Sequence, residues 1–488
     1  MESRVQADAA QIAALDALIL DALRRTKAPG AAISIVKDGR VLLSRGYGVR
    51  SLGSGKPMTS TTLWPIQSET KAFTSLTAAM LRDESKLDID APLSRYLSGF
   101  RMHDPVATLE VTARDLLAHR SGLPAHNWLW ITNDSLTRSE AVGRIPYLPL
   151  AGPIRSEWRY ANLGYVTVAQ AVEQVSGIPW EEFVTQRIFK PLQMNRTTFS
   201  KQQVVSDSDH IEGSMVRFGK LEVTPIQGTT RSTISTGGIY STAEDMAKWM
   251  MFHLNEGHVG GQEVVKPSTI AELQRPEMIT RRRLPAPEFT SAAYGLGWFV
   301  DSYRGERLVQ HTGSHWGVNS ALGLLPDREL GVSVFVNENS RLAFYLMLSI
   351  MDRYIGRSAR DWVSEFTAEV STQNAAAVKA QSARAAERTF NTKPSHQLKD
   401  YVGWYEHPGY GRMHVGLEDG RLSVEYGGDT SNLEHWHYDV FVPTARTFGN
   451  IWAMFEGMQL QFVEQLDGSI SELRISPVQG ASFKRVKV

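Results

Sequence analysis

Two serine–lysine pairs in this 488-residue chain have a spacing that nucleophilic catalysis can use: Ser34 with Lys37, and Ser68 with Lys71. In the pattern Ser-x-x-Lys, residues three apart share one face of a helix, so a hydroxyl and an amine can meet there. A serine that opens a helix also lies beside free backbone N–H groups and the positive end of the helix dipole, which favour developing negative charge. The chemistry that such a pair predicts is acyl transfer through an ester formed on the serine.

The first pair lies in a segment that predicts a β-strand. Residues 31–36 and 41–47 are strand-like runs on either side of Asp38-Gly39, a dipeptide typical of hairpin turns. Successive side chains of a strand alternate between its faces, so a serine and a lysine three residues apart would point in opposite directions. We therefore expect the match at Ser34 to be fortuitous.

The second pair lies at the start of a predicted helix. Ser68 immediately precedes, and Lys71 begins, the helical pattern of residues 71–83. Taken alone, a serine N-cap with a solvated lysine explains the pair more simply than catalysis does. The catalytic interpretation therefore depends on the residues that accompany this pair.

Two further motifs could supply the other groups that acyl transfer needs. Tyr160-Ala161-Asn162 offers a phenol that can accept a proton where cations stabilise the phenolate, and a buried core tyrosine is the alternative. His311-Thr312-Gly313-Ser314 follows a strand-like run, where a glycine lets a substrate backbone lie close to an edge strand and the next N–H can join an oxyanion hole. Each motif is weak alone, since His-x-Gly also begins at residues 258, 315 and 407.

Together the three motifs resemble the penicillin-recognising serine hydrolases, in the order Ser-x-x-Lys, Tyr-x-Asn and His-Thr-Gly. The Tyr-x-Asn form is similar to the class C β-lactamase branch. Residues 116–124, 237–242 and 294–298 resemble the same family, and the resemblance covers about residues 10–355. It implies an α/β (α+β) fold, with a β-lactamase/transpeptidase-like sheet and a helical lobe.

The resemblance implies catalytic roles for four residues. Ser68 would be the nucleophile that forms the acyl-enzyme. Lys71 and Tyr160 would share the transfer of the serine proton to the leaving group, and which of them is the base stays open. His311 would polarise Tyr160 or bind a substrate carboxylate. Because an ordinary histidine titrates near neutrality, activity is expected to change between about pH 5 and 8.

The resemblance also implies a set of substrate-binding groups. Asn162 would hold Lys71 and the substrate amide. The backbone N–H groups of Ser68 and Ser314, next to Gly313, would form the oxyanion hole. The implied cycle is an acyl-enzyme that water, or an amine, resolves.

His311 departs from the class C β-lactamases, which carry a lysine at this position. A histidine is similar to the family's esterases, peptidases acting near D-amino acids and peptide cyclases. We therefore predict cleavage of an amide or ester, with a peptide containing D-amino acids as the leading substrate and a small ester or a β-lactam as alternatives. A non-catalytic sensor or scaffold on this fold would be expected to lose Ser68 or Lys71, and both are present.

The predicted elements place all three motifs in one domain. Helical patterns occupy the middle of the region, and strand-like runs lie at both of its ends. This order predicts a single sheet fed by distant segments, with an inserted helical lobe. We place the hydrolase domain at residues 1–365. The patterns are helical at 9–25, 71–83, 166–175 and 242–253, and strand-like at 31–36, 41–47, 297–300, 308–311, 320–325 and 330–336.

The rest of the chain has a different composition. Residues 366–394 predict a linker with some helical content, because residues 373–388 are rich in Ala, Gln, Ser and Arg and residues 391–394 then break any helix. Residues 395–488 predict a small antiparallel β-barrel, and the segments 401–405 and 435–439 resemble the lipocalin-like domain that follows such hydrolases in some family members. Its strand-like runs are 413–417, 422–426, 440–442, 451–455, 460–464 and 470–475. Its aromatic residues either fill the barrel or line its mouth; they include Trp404, Tyr405, Trp436, Tyr438 and Phe441.

Composition limits the partners. Lys and Arg number 52, as do Asp and Glu, so no basic excess points to nucleic acid or an anionic membrane surface. The chain has no cysteine, which excludes a thiol nucleophile, disulfides and cysteine-ligated metals. The apolar runs are too short to span a bilayer and no signal-peptide pattern is seen, so a cytoplasmic location is expected.

We expect a small-molecule or peptide substrate, no cofactor and no nucleic-acid or membrane partner, and homo-oligomerisation stays open. No metal site is expected either. His435 and His437 share a predicted strand face, but no third ligand accompanies them.

Overall fold

A computed structural model describes residues 2–129, 135–217, 220–226, 229–282, 286–356, 360–446, 450–454, 457–476 and 481–486. Within these residues, each helix is too short or too polar to cross a membrane. The α-helices are α1 (Glu2–Thr26), α2 (Thr70–Asp83), α3 (Pro105–Glu110), α4 (Ala113–Leu117), α5 (Arg138–Gly143), α6 (Asn162–Ser176), α7 (Trp180–Val184), α8 (Lys201–Ser206), α9 (Ile234–Gly237), α10 (Ala243–Leu254), α11 (Pro267–Leu273), α12 (Leu342–Ile355), α13 (Trp362–Ala386) and α14 (Ile451–Met454).

The N-terminal hairpin and the strands after residue 277 form one antiparallel sheet, although the helical lobe separates them in sequence. Its spatial order is β2-β1-β14-β13-β12-β11-β10-β9. Ala31 of β1 pairs with Val336 of β14, which joins the two distant segments in one sheet. The predicted single sheet is therefore confirmed. Its strands are β1 (Gly30–Lys37), β2 (Arg40–Gly48), β9 (Met278–Ile279), β10 (Phe289–Tyr294), β11 (Phe299–Tyr303), β12 (Glu306–His315), β13 (Val318–Leu325) and β14 (Leu330–Val336).

Both faces of the central strands are covered by helices. Along β1, Ala31, Ile33 and Ile35 pack into a core shared with α1 and α12. The intervening Ala32 and Val36 belong to the other core, which contains α2 and α10. Burial on both faces explains why this strand is a nearly continuous apolar run.

Ser34 and Lys37 lie on β1, which confirms the strand predicted for them. Ser34 is fully buried and pairs with Ser333 of β14 and Ser44 of β2. Lys37 ends the strand and forms an ion pair with the adjacent Asp38. The two side chains therefore point to opposite faces, and this Ser-x-x-Lys match forms no catalytic pair.

Three short two-stranded ribbons lie within the helical lobe and beside it. One of them, β3 with β6, ties the segment before Ser68 to residues 236–242, and it continues in a hydrogen bond from the Ile66 N–H to the Ile239 carbonyl of 3.0 Å. This ribbon fixes the approach of the chain to Ser68. The ribbon strands are β3 (Trp64–Pro65), β4 (Gly213–Arg217), β5 (Lys220–Thr224), β6 (Tyr240–Ser241), β7 (His258–Val259) and β8 (Gln262–Glu263).

The C-terminal region is a closed eight-stranded antiparallel barrel, as predicted. It follows α13, which occupies much of the segment predicted as a linker. The domain boundaries at residues 365 and 394 stay predictions. The barrel strands are β15 (Gly403–His407), β16 (Gly411–Glu418), β17 (Arg421–Tyr426), β18 (Asp429–His437), β19 (Val440–Pro443), β20 (Gln459–Glu464), β21 (Ile470–Ser476) and β22 (Ser482–Val486).

One predicted barrel strand is wrong. The apolar run that begins at Ile451 forms the short helix α14 instead. The Asn450 side chain accepts a hydrogen bond from the Trp452 N–H at 2.9 Å, and the Asp429 side chain accepts one from the Ile451 N–H at 2.8 Å. These side chains start a helical turn, and a run of five apolar residues does not distinguish a strand from a buried helical turn.

The barrel docks on the helical lobe through an aromatic contact. Tyr426 of β17 stacks on Trp128, with ring centroids 5.2 Å apart, and Trp452 meets the same indole edge-on at 5.6 Å. The Tyr410 hydroxyl lies 2.8 Å from Nδ1 of His126. These residues join the core of the barrel to that of the hydrolase region.

The aromatic residues of the barrel that the sequence singled out do not form this docking contact. Tyr405 and Phe441 are buried inside the barrel. Trp404 is half-buried on the barrel wall against His414, and Tyr438 is exposed. The docking contact therefore uses a different set of aromatic side chains.

Candidate active site

Ser68 lies in a 3-10 turn, Gln67–Glu69, that leads directly into α2. The helical continuation brings the Lys71 Nζ to 3.1 Å from the Ser68 Oγ. Gln67 has a φ of 51°, a left-handed conformation that costs energy in a residue with a side chain. The backbone is therefore strained at the residue before Ser68. Such strain is common in functional sites.

The Lys71 side chain is completely buried. Its Nζ donates a hydrogen bond to the Thr236 carbonyl at 3.0 Å and lies 4.8 Å from the centre of the Tyr160 ring. Burial lowers the pKa of Lys71 well below its usual value, because a charged ammonium is poorly solvated there. The amine can therefore be neutral near pH 7, with its lone pair available.

Tyr160 and Asn162 lie at the start of α6, with Ala161 as the N-cap between them. Burial raises the pKa of the Tyr160 phenol, and the neighbouring Ser68 hydroxyl opposes this effect. The phenol is therefore protonated. The Asn162 Oδ1 is buried and has no hydrogen-bond partner among the described residues, so Lys71 is held by Thr236 instead of Asn162.

β12 presents the His-Thr-Gly motif on a locally unpaired edge. The ladder between β11 and β12 ends at the pair Phe299 and Gln310. Among the described strands, residues 311–315 therefore pair with β13 alone. This edge is therefore open for an extended chain, and alignment of a substrate backbone along it stays a prediction.

Gly313 is required by the packing of the protein itself. A Cβ atom there would lie 2.2 Å from the Ile66 carbonyl oxygen and 2.9 Å from the Gln67 Cβ. β12 can approach the turn that carries Ser68 only because this residue has no side chain. The next residue, Ser314, is exposed.

His311 is buried and both of its ring nitrogens are occupied. Nδ1 lies 2.8 Å from the Thr312 carbonyl, which can only accept, so Nδ1 carries the hydrogen. Nε2 then accepts a hydrogen bond from the Tyr294 hydroxyl at 3.1 Å. Burial lowers the pKa of His311 to about 3, with a further contribution from Lys71. This environment leaves His311 uncharged between pH 5 and 8, in contrast to the pH response expected from the sequence.

Glu69, between the nucleophile candidate and Lys71, is a buried acid. Its side chain is 3% exposed, and neither carboxyl oxygen has a hydrogen-bond partner among the described residues. Burial raises the pKa of Glu69 to about 8, against the effect of the Ser320 hydroxyl. The carboxyl group is therefore protonated at neutral pH.

Sequence reasoning missed four residues that shape this site: Glu69, His119, Thr236 and Tyr294. His119 and Tyr294 lie inside stretches that resembled the family, and Thr236 immediately precedes another. These stretches were a signal that the residues matter, but their roles depend on contacts that no single sequence displays.

His435 and His437 contact the backbone around them. The His435 Nε2 lies 2.9 Å from the Tyr438 carbonyl, and the His437 Nδ1 accepts from the Thr389 N–H at 3.2 Å. A cluster of three or more potential metal ligands is not found within the described part of the chain.

Comparison with curated proteins identifies relatives that differ in their overlap with this chain. The unguisins hydrolase ungD of Aspergillus violaceofuscus is 26% identical over 473 residues, which cover 88% of this chain and 82% of that protein. Protein flp of Staphylococcus aureus strain MW2 is 28% identical over 328 residues, 67% of this chain. That match spans 63% of flp, a little under two thirds of its length.

Solved structures share the fold over nearly the whole chain. The octameric penicillin-binding protein homologue from Pyrococcus abyssi superposes with a TM-score of 0.64 at 22% identity, covering 97% of this chain and all of that one. SurE in complex with D-Leu superposes with a TM-score of 0.57 at 18% identity, covering 98% of this chain and all of SurE.

Family profiles match both parts of the chain. Residues 387–485 match DUF3471, a domain of unknown function. Residues 15–349 match the beta-lactamase profile. Since this second match covers well over half of the sequence and the fold agrees with it, the chain belongs to the beta-lactamase family and carries a closed β-barrel at its C-terminus.

Proposed function

We propose that this protein is a serine hydrolase or acyltransferase that cleaves an amide or ester through an acyl-enzyme on Ser68. One observation carries the proposal: a fully buried Lys71 amine, with a lowered pKa, lies 3.1 Å from the Ser68 Oγ. A lysine that merely supported the fold would not need to lose its charge beside a serine hydroxyl. Membership of the beta-lactamase family and a hydrolase-named relative support the same reaction class.

Lys71 is the general base in this proposal. The amine donates one N–H to the Thr236 carbonyl and lies within hydrogen-bonding distance of the Ser68 Oγ, where in its neutral form it can accept the serine proton. As the Ser68 Oγ bonds to the substrate carbonyl carbon, its proton passes to Nζ. Tyr160, which is protonated, then gives its proton to the leaving nitrogen or oxygen and takes one from the Lys71 ammonium. Water repeats these transfers to release the acyl group and restore Ser68.

The oxyanion forms between the backbone N–H groups of Ser68 and Ser314. Gly313 supports this assignment, because its missing side chain lets β12 lie against the turn of Ser68. Preorganised donors at such a position typically contribute about 10²–10³-fold to kcat.

A peptide containing D-amino acids is the leading substrate, with a small ester or a β-lactam as alternatives. His311 supports an uncharged binding partner at this end of the cleft, since the imidazole is neutral and offers no cation to a carboxylate. The relative ungD is named a hydrolase of unguisins. Turnover of D-aminoacyl amides, p-nitrophenyl esters and nitrocefin, measured side by side, distinguishes the three classes.

Substitution of Ser68 tests the nucleophile. Ser68→Ala should abolish covalent labelling by a fluorophosphonate and lower kcat by on the order of 10⁶-fold, as loss of a catalytic serine does elsewhere. Ser34→Ala is the matched control, because it removes a buried serine of the same Ser-x-x-Lys pattern without a predicted loss. Labelling that persists in Ser68→Ala would refute the assignment, and an unlabelled wild-type protein would favour the sensor or scaffold alternative.

A further inference from the structure

His119 is a buried histidine within the candidate site. The proposed reaction gives it no role. It follows α4, is 1% exposed and has a φ of 55°, in the left-handed region. Its ring packs against Tyr160 with a centroid distance of 4.4 Å. Rings of Tyr165 and Tyr294 lie at 5.1 and 4.8 Å, so the imidazole is enclosed by aromatic side chains.

His119 holds the backbone on both sides of Tyr160. Its carbonyl accepts a hydrogen bond from the Arg159 N–H at 2.7 Å. Its Nδ1 accepts one from the Ala161 N–H at 3.1 Å. One residue therefore fixes the chain directly before and directly after the phenol, and its ring contacts the phenol itself.

The hydrogen bond to Ala161 requires a neutral imidazole. Nδ1 accepts, so the ring hydrogen is on Nε2, which is buried without a hydrogen-bond partner among the described residues. Burial holds the pKa of His119 well below its usual value, and a positive charge on Lys71 or His311 would lower it further. The ring stays neutral, and Nδ1 keeps its lone pair for the backbone.

An ion cluster anchors the same two segments a few residues away. The fully buried Asp115 carboxylate accepts hydrogen bonds from Arg120 at 2.7 Å and Arg155 at 2.8 Å. The Arg155 N–H also donates to the Arg120 carbonyl. The segment that carries His119 is therefore a fixed template for the loop that ends in Tyr160.

We propose that His119 is a positioning residue for Tyr160. It holds the phenol where it can protonate the leaving group, through a neutral imidazole that accepts from Ala161. The inference rests on the proposed function, since Tyr160 acts there as the proton donor. It predicts a defect that grows as the leaving group becomes harder to expel.

The test compares His119→Leu and His119→Asn with the wild-type protein. The substrates are aryl acetates from p-nitrophenyl to phenyl acetate, whose leaving groups need increasing protonation. His119→Leu should lower kcat/KM, which reports formation of the shared acetyl-enzyme, by about 10²-fold for phenyl acetate, the cost of a misplacement of about 1 Å, and by much less for p-nitrophenyl acetate. His119→Asn should recover most of this loss, because its side-chain oxygen can accept from Ala161 and asparagine tolerates a positive φ.

His126 provides matched controls. It is also a buried histidine with a positive φ, 43°, but its Nδ1 meets Tyr410 in the barrel contact. His126→Leu and His126→Asn should leave the leaving-group dependence unchanged. Circular dichroism and melting temperatures verify the fold of each variant.

Two results would overturn the inference: a folded His119→Leu with wild-type leaving-group dependence, or an equal shift in His126→Leu. Absence of fluorophosphonate labelling at Ser68 in the wild-type protein would instead overturn the proposed function. The two failures are therefore distinguishable.

Discussion

At the scale of single residues, burial shifts the pKa of each ionisable group of the candidate site toward its neutral form. Burial lowers the pKa values of Lys71, His119 and His311, and it raises those of Glu69 and Tyr160. Each shift favours the neutral form, because desolvation destabilises charge. Charge that develops during acyl transfer would then meet a site of low polarity, where directed hydrogen bonds are most effective.

Glu69→Gln should change the pH dependence of stability. The pKa of Glu69 is raised to about 8, whereas a glutamate in the unfolded chain titrates near 4.3. Between these two pH values the folded state binds one proton more than the unfolded state. The contribution of Glu69 to stability is therefore complete below about pH 4 and falls as pH rises toward 8. The slope is at most about 1.4 kcal/mol per pH unit. Glu69→Gln has no such titration. The difference between its unfolding free energy and that of the wild type should therefore become more favourable to the variant as pH rises from 5 to 8.

Urea unfolding at both pH values measures the effect. Glu425→Gln, at an exposed barrel position, is the control and should follow the wild type. A parallel pH dependence of Glu69→Gln and wild type would show that the carboxyl group is ionised or paired in the folded state.

At the scale of elements, the first turn of α2 is held between two parts of the sheet. Gly313 of β12 lies against the chain before Ser68, with its Cβ position 2.2 Å from the Ile66 carbonyl. Gly297, in the turn between β10 and β11, lies against α2 itself at Lys71 and Ala72. Two glycines thus set the distance between the sheet and the Ser68–Lys71 pair.

Gly297→Ala should impair catalysis through this contact. Gly297 has a φ of 85°, and a Cβ there would lie 2.9 Å from both the Ala72 Cα and the Lys71 carbonyl oxygen. The first turn of α2 must shift, and a misplacement of about 1 Å can lower kcat by on the order of 10²-fold. Gly305→Ala is the control: its φ is 84° and its Cβ position has no neighbour within 4 Å.

The unfavourable φ should cost each alanine variant about 1 kcal/mol, and the steric overlap with α2 should destabilise Gly297→Ala further. Only Gly297→Ala should also lose kcat with p-nitrophenyl acetate. Equal kcat values in the two variants would show that the close contact at Gly297 does not position Lys71.

Local patterns predicted most elements but not the contacts between them. The β1–β2 hairpin, β14 and α10 follow from hairpin, apolar and helical signals within a few residues. The run at Ile451 was mispredicted because the side chains that cap it come partly from Asp429, on another strand. His119 escaped notice since its partner Ala161 is 42 residues away. The sequence pattern predicted the site residues, whereas the hydrogen bonds that hold them are tertiary.

At the scale of the whole molecule, the barrel rests on a stretch that is continuous with the site. The residues that the barrel contacts include His126 and Trp128, which come a few residues after His119 in the chain. Between His119 and His126, the Gly122 carbonyl accepts a hydrogen bond from the Ala151 N–H at 2.9 Å. Ala151 belongs to the loop region that leads to Tyr160. Barrel docking can therefore influence access to the cleft without supplying a reacting group, because the described site residues lie before residue 315.

Tyr426→Ala tests whether docking controls access. The substitution removes the ring stacked on Trp128 and the hydroxyl, whose single hydrogen is shared between the Tyr410 carbonyl at 2.7 Å and the Trp128 carbonyl at 3.2 Å. Loss of a buried aromatic side chain costs about 3–5 kcal/mol, so the barrel should separate more often from the lobe. Limited proteolysis between α13 and the barrel should accelerate.

The catalytic readout separates access from chemistry. In Tyr426→Ala, kcat/KM for long D-amino-acid peptides should change relative to that for short ones, while kcat with p-nitrophenyl acetate stays within about twofold, since no reacting group has moved. Trp404→Ala is the matched control, because Trp404 packs on His414 within the barrel and takes no part in the aromatic contact with Trp128. It should leave both measurements unchanged. Faster proteolysis of Tyr426→Ala with an unaltered length profile would assign the barrel to stability alone, and a large loss of ester turnover would show that docking reaches the Tyr160 loop through residues 119–129.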